Sequence, residues 1–296
     1  MRPTDYVVPL ERISHVGDGL SRPECILAQQ NGVLWISDDK SGVVKLSPDG
    51  THERIGALGG APNGVAMDRD GSFVVANIET GSLQRLNRDG SSETMLDRLD
   101  GQPLGAVNFA LYDSKWRLWV SVSTRTIPRR KAIDEPRPDG YVMLIDGDRA
   151  RIVADGFHFT NEVRLNLDES VLYVAETARG RVTAFDIGGD GALSNRRVHG
   201  PDGFWPGALI DGITVDATGA LWITEITRNA LIVLPQGGEP VVAVEGPDEG
   251  PTWFPTSVTF GGADLKDAYI GSLKMDRLAR FRAPVAGPPP PHWLIG

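Results

Sequence analysis

Short runs of alternating apolar and polar residues recur along the whole chain, and sustained helical periodicity is hard to find anywhere. Pro206 to Thr224 shows the unit. Ile213-Thr-Val215 is β-branched throughout, Asp216-Ala-Thr-Gly219 has the chemistry of a type I turn, and Leu221-Trp-Ile-Thr224 resumes strand composition. Comparable turns stand at 29–32, 68–71, 113–116 and 167–170, and a longer one ends at Lys266. The residue three places beyond each turn is Trp35, Val74, Trp119, Tyr173, Trp222 or Tyr269, with steps of 39, 45, 54, 49 and 47. A four-stranded propeller blade takes about 40–50 residues. The pattern therefore predicts an all-β chain: a six-bladed β-propeller with four-stranded antiparallel blades around a central channel. Approximate blades are 23–60, 62–100, 104–153, 159–200, 209–245 and 255–284, in a single domain over 1–296. Ring closure asks for an N-terminal strand, and Tyr6-Val-Val8 or Arg12-Ile13 is the candidate. Pro288 to Pro291 reads as a tail or surface linker.

Counting back eleven residues from an anchor gives Glu24, Asn63, Asn108 and Asp211; with a turn one residue longer, Asn161 stands twelve before Tyr173. In the last unit Thr256 and Ser257 correspond. Radial repetition brings equivalent positions around one axis. Carboxylates converging there repel unless a cation or protons lie between them. Oxygen ligands suit a hard divalent ion, so one bound divalent metal is expected.

The formal charge of −9 argues against nucleic acid or an anionic membrane as partner. No run of 18 apolar residues predicts a membrane helix, and the N-terminus has no signal-peptide core, so a cytoplasmic protein is expected. One cysteine, Cys25, excludes an intramolecular disulfide or a multi-cysteine metal site. None of the five histidines forms a spaced metal pair, and no Gly-x-Ser-x-Gly elbow occurs.

Arg22-Pro23-Glu24, Thr160-Asn161 before Leu172-Tyr-Val-Ala175, and Ile210-Asp211-Gly212 before Leu221-Trp-Ile223 resemble the gluconolactonase/senescence-marker-protein (regucalcin) family. More distantly the chain is similar to the phosphotriesterase-like diisopropyl-fluorophosphatase. The resemblance implies an ion held by Glu24, Asn161 and Asp211, with Asn108 completing or flanking the site and Asp211 as general base. Calcium, zinc, manganese, magnesium and iron all occur in the family, so the metal is left open. It also implies hydrolysis of a small-molecule lactone or ester. The family's substrate-reading Arg and Asp are replaced by Ala106 and Phe109, and Glu162 stands where Gly is common after the Asn. A less polar lactone or ester thus joins sugar lactones as a candidate substrate. Asn63, Asn108, Phe109 and Arg125 are the expected substrate contacts.

The 123–138 insertion carries Arg125, Arg129, Arg130 and Lys131, either as a solvated loop or as a lid that attracts an anion. Phe157, Phe159, Trp205, Trp253 and Phe254 precede inner strands, where they wall an apolar pocket or pack between blades. Alternatives to the lactonase are a phosphotriesterase or arylesterase at the same metal, and a non-catalytic metal-binding propeller. Oligomeric state is left open.

Overall fold

Each turn-and-strand unit closes into a four-stranded antiparallel meander, and six such sheets make the predicted propeller. The structure is a computed structural model and describes residues 2–294. The innermost strands are Ile26–Ala28, Pro62–Met67, Val107–Tyr112, Thr160–Leu165, Ile210–Val215 and Pro255–Gly261. Each touches the inner strand of the blade on either side, and the sixth touches the first, so the ring is complete. Outer strands such as His52–Ile55 and Ser92–Leu96 are mostly exposed, whereas the second strands are almost wholly buried. Burial thus grades from rim to axis, as radial packing requires.

Ring closure uses a different segment from the two expected. Ser14–Val16 pairs with Leu278–Arg280 as the outer strand of the sixth blade. Pro3–Tyr6 and Leu10–Arg12 instead curl into single 3-10 turns around Pro9, which has no N–H to give. The Arg12 and Ile13 amides are used in the second turn, donating to Pro9 and Leu10 carbonyls at 3.0 Å. Tyr6 packs edge-on against Trp222 at 5.9 Å, and the Val8 amide donates to Ala243 O at 2.8 Å, so this segment fastens the fifth blade.

In the third and fifth blades the turn aspartate six places before the anchor braces the inner hairpin. Trp119 and Trp222 each donate their indole N–H to Asp113 and Asp216 at 3.0 Å. In the first blade that place is Gln29, and the buried Trp35 Nε1 has no partner. Among the described residues no helix is long and apolar enough to cross a membrane.

The proline tail is not a surface linker. Pro288 to His292 line the outer end of a cavity of about 270 Å³ that enters the central channel. His292 Nε2 and Trp293 Nε1 both hydrogen-bond to Ala28 O, at 2.8 and 2.6 Å, and pin the tail to the first inner strand.

Candidate functional site

The residue found by counting back from the anchor stands at the entry of the inner strand, and in five blades the pairing register slips there. The slips fall between Pro62 and Val65, Val107 and Phe109, Thr160 and Val163, Ile210 and Ile213, and Pro255 and Val258. A bulge adds a residue and re-aims side chains, so two consecutive residues can turn inward. Asn63, Asn108, Asn161, Asp211 and Thr256 take the first place, and Glu24 joins them from the segment before its strand; all six are buried.

Glu24, Asn161 and Asp211 come together. Burial pushes the Asp211 carboxyl well above its usual range, the nearby Glu24 and Glu162 carboxylates push it further, and Arg22 and Asn161 pull it back. Burial also raises Glu24, against the pull of Arg22. Asn161 donates its amide N–H to Thr177 Oγ1 at 3.0 Å, which leaves its buried Oδ1 without a hydrogen bond. Ser257 Oγ likewise has none, and Glu24 Oε2 has no hydrogen bond but is ion-paired with Arg22. A buried amide oxygen left unpaired is costly, and beside two carboxylates it is what a hard cation would satisfy. Among the described residues no three His, Cys, Asp or Glu side chains are grouped to hold a metal, so an ion here would need the amide oxygen beside the two carboxylates.

The other half of the ring satisfies itself. Arg22 Nη2 donates to Asn63 Oδ1 at 2.7 Å, and Asn63 Nδ2 donates to Asn108 O at 3.0 Å and more distantly to Asn108 Oδ1. Asn108 Nδ2 in turn donates to Ser123 Oγ at 3.0 Å. Asn63 and Asn108 therefore flank the Glu24–Asn161–Asp211 group as a fixed polar wall.

One step deeper lie Cys25, Gly64, Phe109, Glu162, Gly212 and Ser257. Phe109 does not stand with the asparagines: it packs over Gly64, where a Cβ would meet its Cα at 2.5 Å, and lines the inner cavity. Ser257 backs Gly212 in the same way, its Cα 2.7 Å from where a Cβ would stand, and Glu162 Oε1 reaches that place from the blade before, at 3.0 Å. Glu162 accepts from Ile213 N and Arg164 Nη2, both at 3.1 Å, and burial pushes its carboxyl up to about 7 despite them. Arg164 also lies over the Phe109 ring at 5.3 Å. Phe109, Glu162 and Arg164 thus form a floor between the oxygen ring and the apolar cavity below. The Cys25 thiol on that level is buried and pushed up to about 12, unsuited to nucleophilic work at neutral pH.

Arg125 stands elsewhere, exposed, its guanidinium over Tyr141 at 4.3 Å in a groove between the second and third blades. Its neighbour Arg129 pairs with Glu79 and acts electrostatically on Glu24 and Asp39. The insertion's helical turn, Lys131–Asp134, lies against Thr177–Arg179 of the fourth blade, with Ala132 fully buried. The loop is therefore docked across blades rather than free. Phe157, at the end of the third blade's outer strand, packs between Phe185 and Arg196 of the fourth blade. Trp205 packs against Phe204 and Arg228, and Trp253 against Phe254.

Sequence reasoning gave no role to three members of this site, one of them, Arg22, read only as part of a family marker. Arg22 and Asp39 flank Glu24, and Arg164 backs Glu162. The spacing of Glu162 and Arg164, two apart on a strand, was the available sign that they share a face.

A closed six-bladed propeller with an acid-and-amide ring in its central channel is the class of protein that fold and site define. The chain belongs to the SMP-30/Gluconolactonase/LRE-like family, whose model matches residues 22–274. It is similar to a 6-deoxy-6-sulfogluconolactonase from Pseudomonas putida, 24% identical over 79% of this chain and 75% of that one. It is also similar to regucalcin from Xenopus laevis, 29% identical over 77% and 75%. A solved gluconolactonase from Xanthomonas campestris shares the fold at a TM-score of 0.74, 22% identical over 92% of this chain and 89% of that one.

Proposed function

We propose that this protein is a metal-dependent hydrolase that opens a lactone ring at the Glu24–Asn161–Asp211 group. The observation that carries the reading is the convergence of two buried carboxylates on an amide oxygen that no protein donor satisfies. The lactonase relative and the family membership support it. Glu24, Asn161 and Asp211 are the residues that would hold the ion, which supplies Lewis-acid polarisation of the substrate carbonyl when bound.

The chain's own groups do the rest. Asp211 Oδ accepts the proton of the attacking water, a role open to a carboxylate that stands beside the ion and at the channel's axis. Asn63 and Asn108, held to each other and to Ser123 by hydrogen bonds, orient the substrate. Ala106 joins Ala61 and Ile78 in an apolar patch, which favours a lactone less polar than a sugar lactone on that side.

A panel of γ- and δ-lactones, aryl esters and a phosphotriester, assayed before and after chelation, tests the proposal. The expected result is lactone opening that chelation abolishes and one re-added divalent ion restores. Full turnover in folded, chelated protein contradicts it. Preference for the phosphotriester would reassign the substrate class, and no turnover despite ion binding would point to a binding module.

A further inference from the structure

Glu24 has a rival partner for any ion. Arg22 Nη2 lies 2.5 Å from Glu24 Oε2, a contact without hydrogen-bond geometry, while the same nitrogen donates to Asn63 Oδ1 at 2.7 Å. The guanidinium also reaches Pro62 O at 3.3 Å and lies 3.6 Å from Asp39 Oδ1. Its backbone has φ +53°, a left-handed conformation that side chains rarely adopt. The same place, two residues before the ring residue, is taken by Phe159 and Phe254 in the fourth and sixth blades, at φ +62° and +51°. The left-handed entry is thus shared between blades, and only in the first does it carry a cation into the ring.

We propose that the Arg22 guanidinium competes with the metal ion for Glu24 and so sets the ion affinity of the site. This rests on the reading of the ring as an ion site. A ligand oxygen lies about 2.0–2.6 Å from a divalent ion, and Nη2 already stands at that range from Glu24 Oε2. Two cations cannot share that oxygen in a buried, weakly screened ring. An ion bound through Oε2 therefore displaces the guanidinium, and one bound through Oε1 meets it as a like charge across the same carboxylate. A second partner is at hand: Asp39 Oδ1 is buried, has no hydrogen bond, and is nearest to Nη1 rather than to the Nη2 that meets Glu24. Arg22 is thus a positioning residue, a displaceable counter-ion that keeps Glu24 paired until an ion arrives.

Calorimetric titration of the chelated full chain with calcium, manganese and zinc separately tests this, using wild type, Arg22→Met and Arg22→Gln. Circular dichroism checks each fold, and the second variant, which retains a donor for Asn63, stands in if the first misfolds. For the ion that wild type binds, both variants should bind at least about tenfold more tightly. Equal or weaker binding in a folded variant overturns the competition while leaving the ion site intact. Absence of binding to all three ions in wild type and variants overturns the ion site itself, and the competition with it.

Discussion

The Asp–Trp brace of the fifth blade makes a quantitative test of how the inner hairpins are held. Asp216 is fully buried and accepts four hydrogen bonds: Trp222 Nε1 on one oxygen at 3.0 Å, and Thr218 N, Thr218 Oγ1 and Ala220 N on the other at 2.8, 2.6 and 3.2 Å. Asp216→Ala leaves the indole N–H of Trp222, itself fully buried, without an acceptor. Stranding a buried donor costs about 1–3 kcal/mol, and the lost Ala220 and Thr218 bonds add about 1 kcal/mol because the threonine groups can reach water. The total is about 3 kcal/mol. With an unfolding entropy of about 2.1 cal/mol/K per residue, a chain of 296 residues loses about 5 °C in Tm. Thermal melts of Asp216→Ala, Trp222→Phe and the double variant measure it, with an Asp–Trp coupling of about 1–2 kcal/mol expected. A shift below about 1 °C for Asp216→Ala, or additive single variants, would refute the brace.

Gln29→Asp should supply the acceptor that Trp35 Nε1 lacks and raise Tm by about 2 °C, from a net gain of about 1 kcal/mol; an unchanged or lower melt counts against it. Burial lowers the His292 pKa, against the pull of Ala28 O. A depressed folded pKa means the tail's docking is fully present above the ordinary histidine value of about 6.5 and weakens as pH falls below it. The protection factor of the Trp293 amide, which donates to Pro290 O at 3.0 Å, should accordingly fall between pH 7.5 and 5.5 in wild type, with the pH response lost in His292→Ala. An equal response in both would assign it to another group.

The fold was legible because a propeller repeats its register. Six anchors and one backward count located Glu24, Asn63, Asn108, Asn161 and Asp211 at equivalent strand entries, since equivalent positions share one axis. Local alternation then failed one residue further on. A regular strand would point Phe109 and Glu162 away from their asparagines' side, but the bulges let both turn into the channel. Gly64 and Gly212, at the same register in the second and fifth blades, carried a trace of this: each lets the next blade's bulged backbone, at Phe109 and Ser257, come close. The closing strand was misplaced by a few residues because Pro9 and its flanking turns are tertiary matters, fixed by Tyr6 docking on Trp222. Arg125 was chosen for charge alone, and charge does not say which way a loop folds; Arg129 is the cation of that loop nearer to Glu24.

The most direct test of the central claim is the rate of lactone opening by Asp211→Ala against wild type, at saturating ion, with both folds verified by circular dichroism. Loss of the proton acceptor and of one proposed ligand predicts a fall in kcat/KM of at least about a thousandfold, as general-base loss alone accounts for about 10²–10⁴. A folded Asp211→Ala variant that retains wild-type turnover would contradict the account.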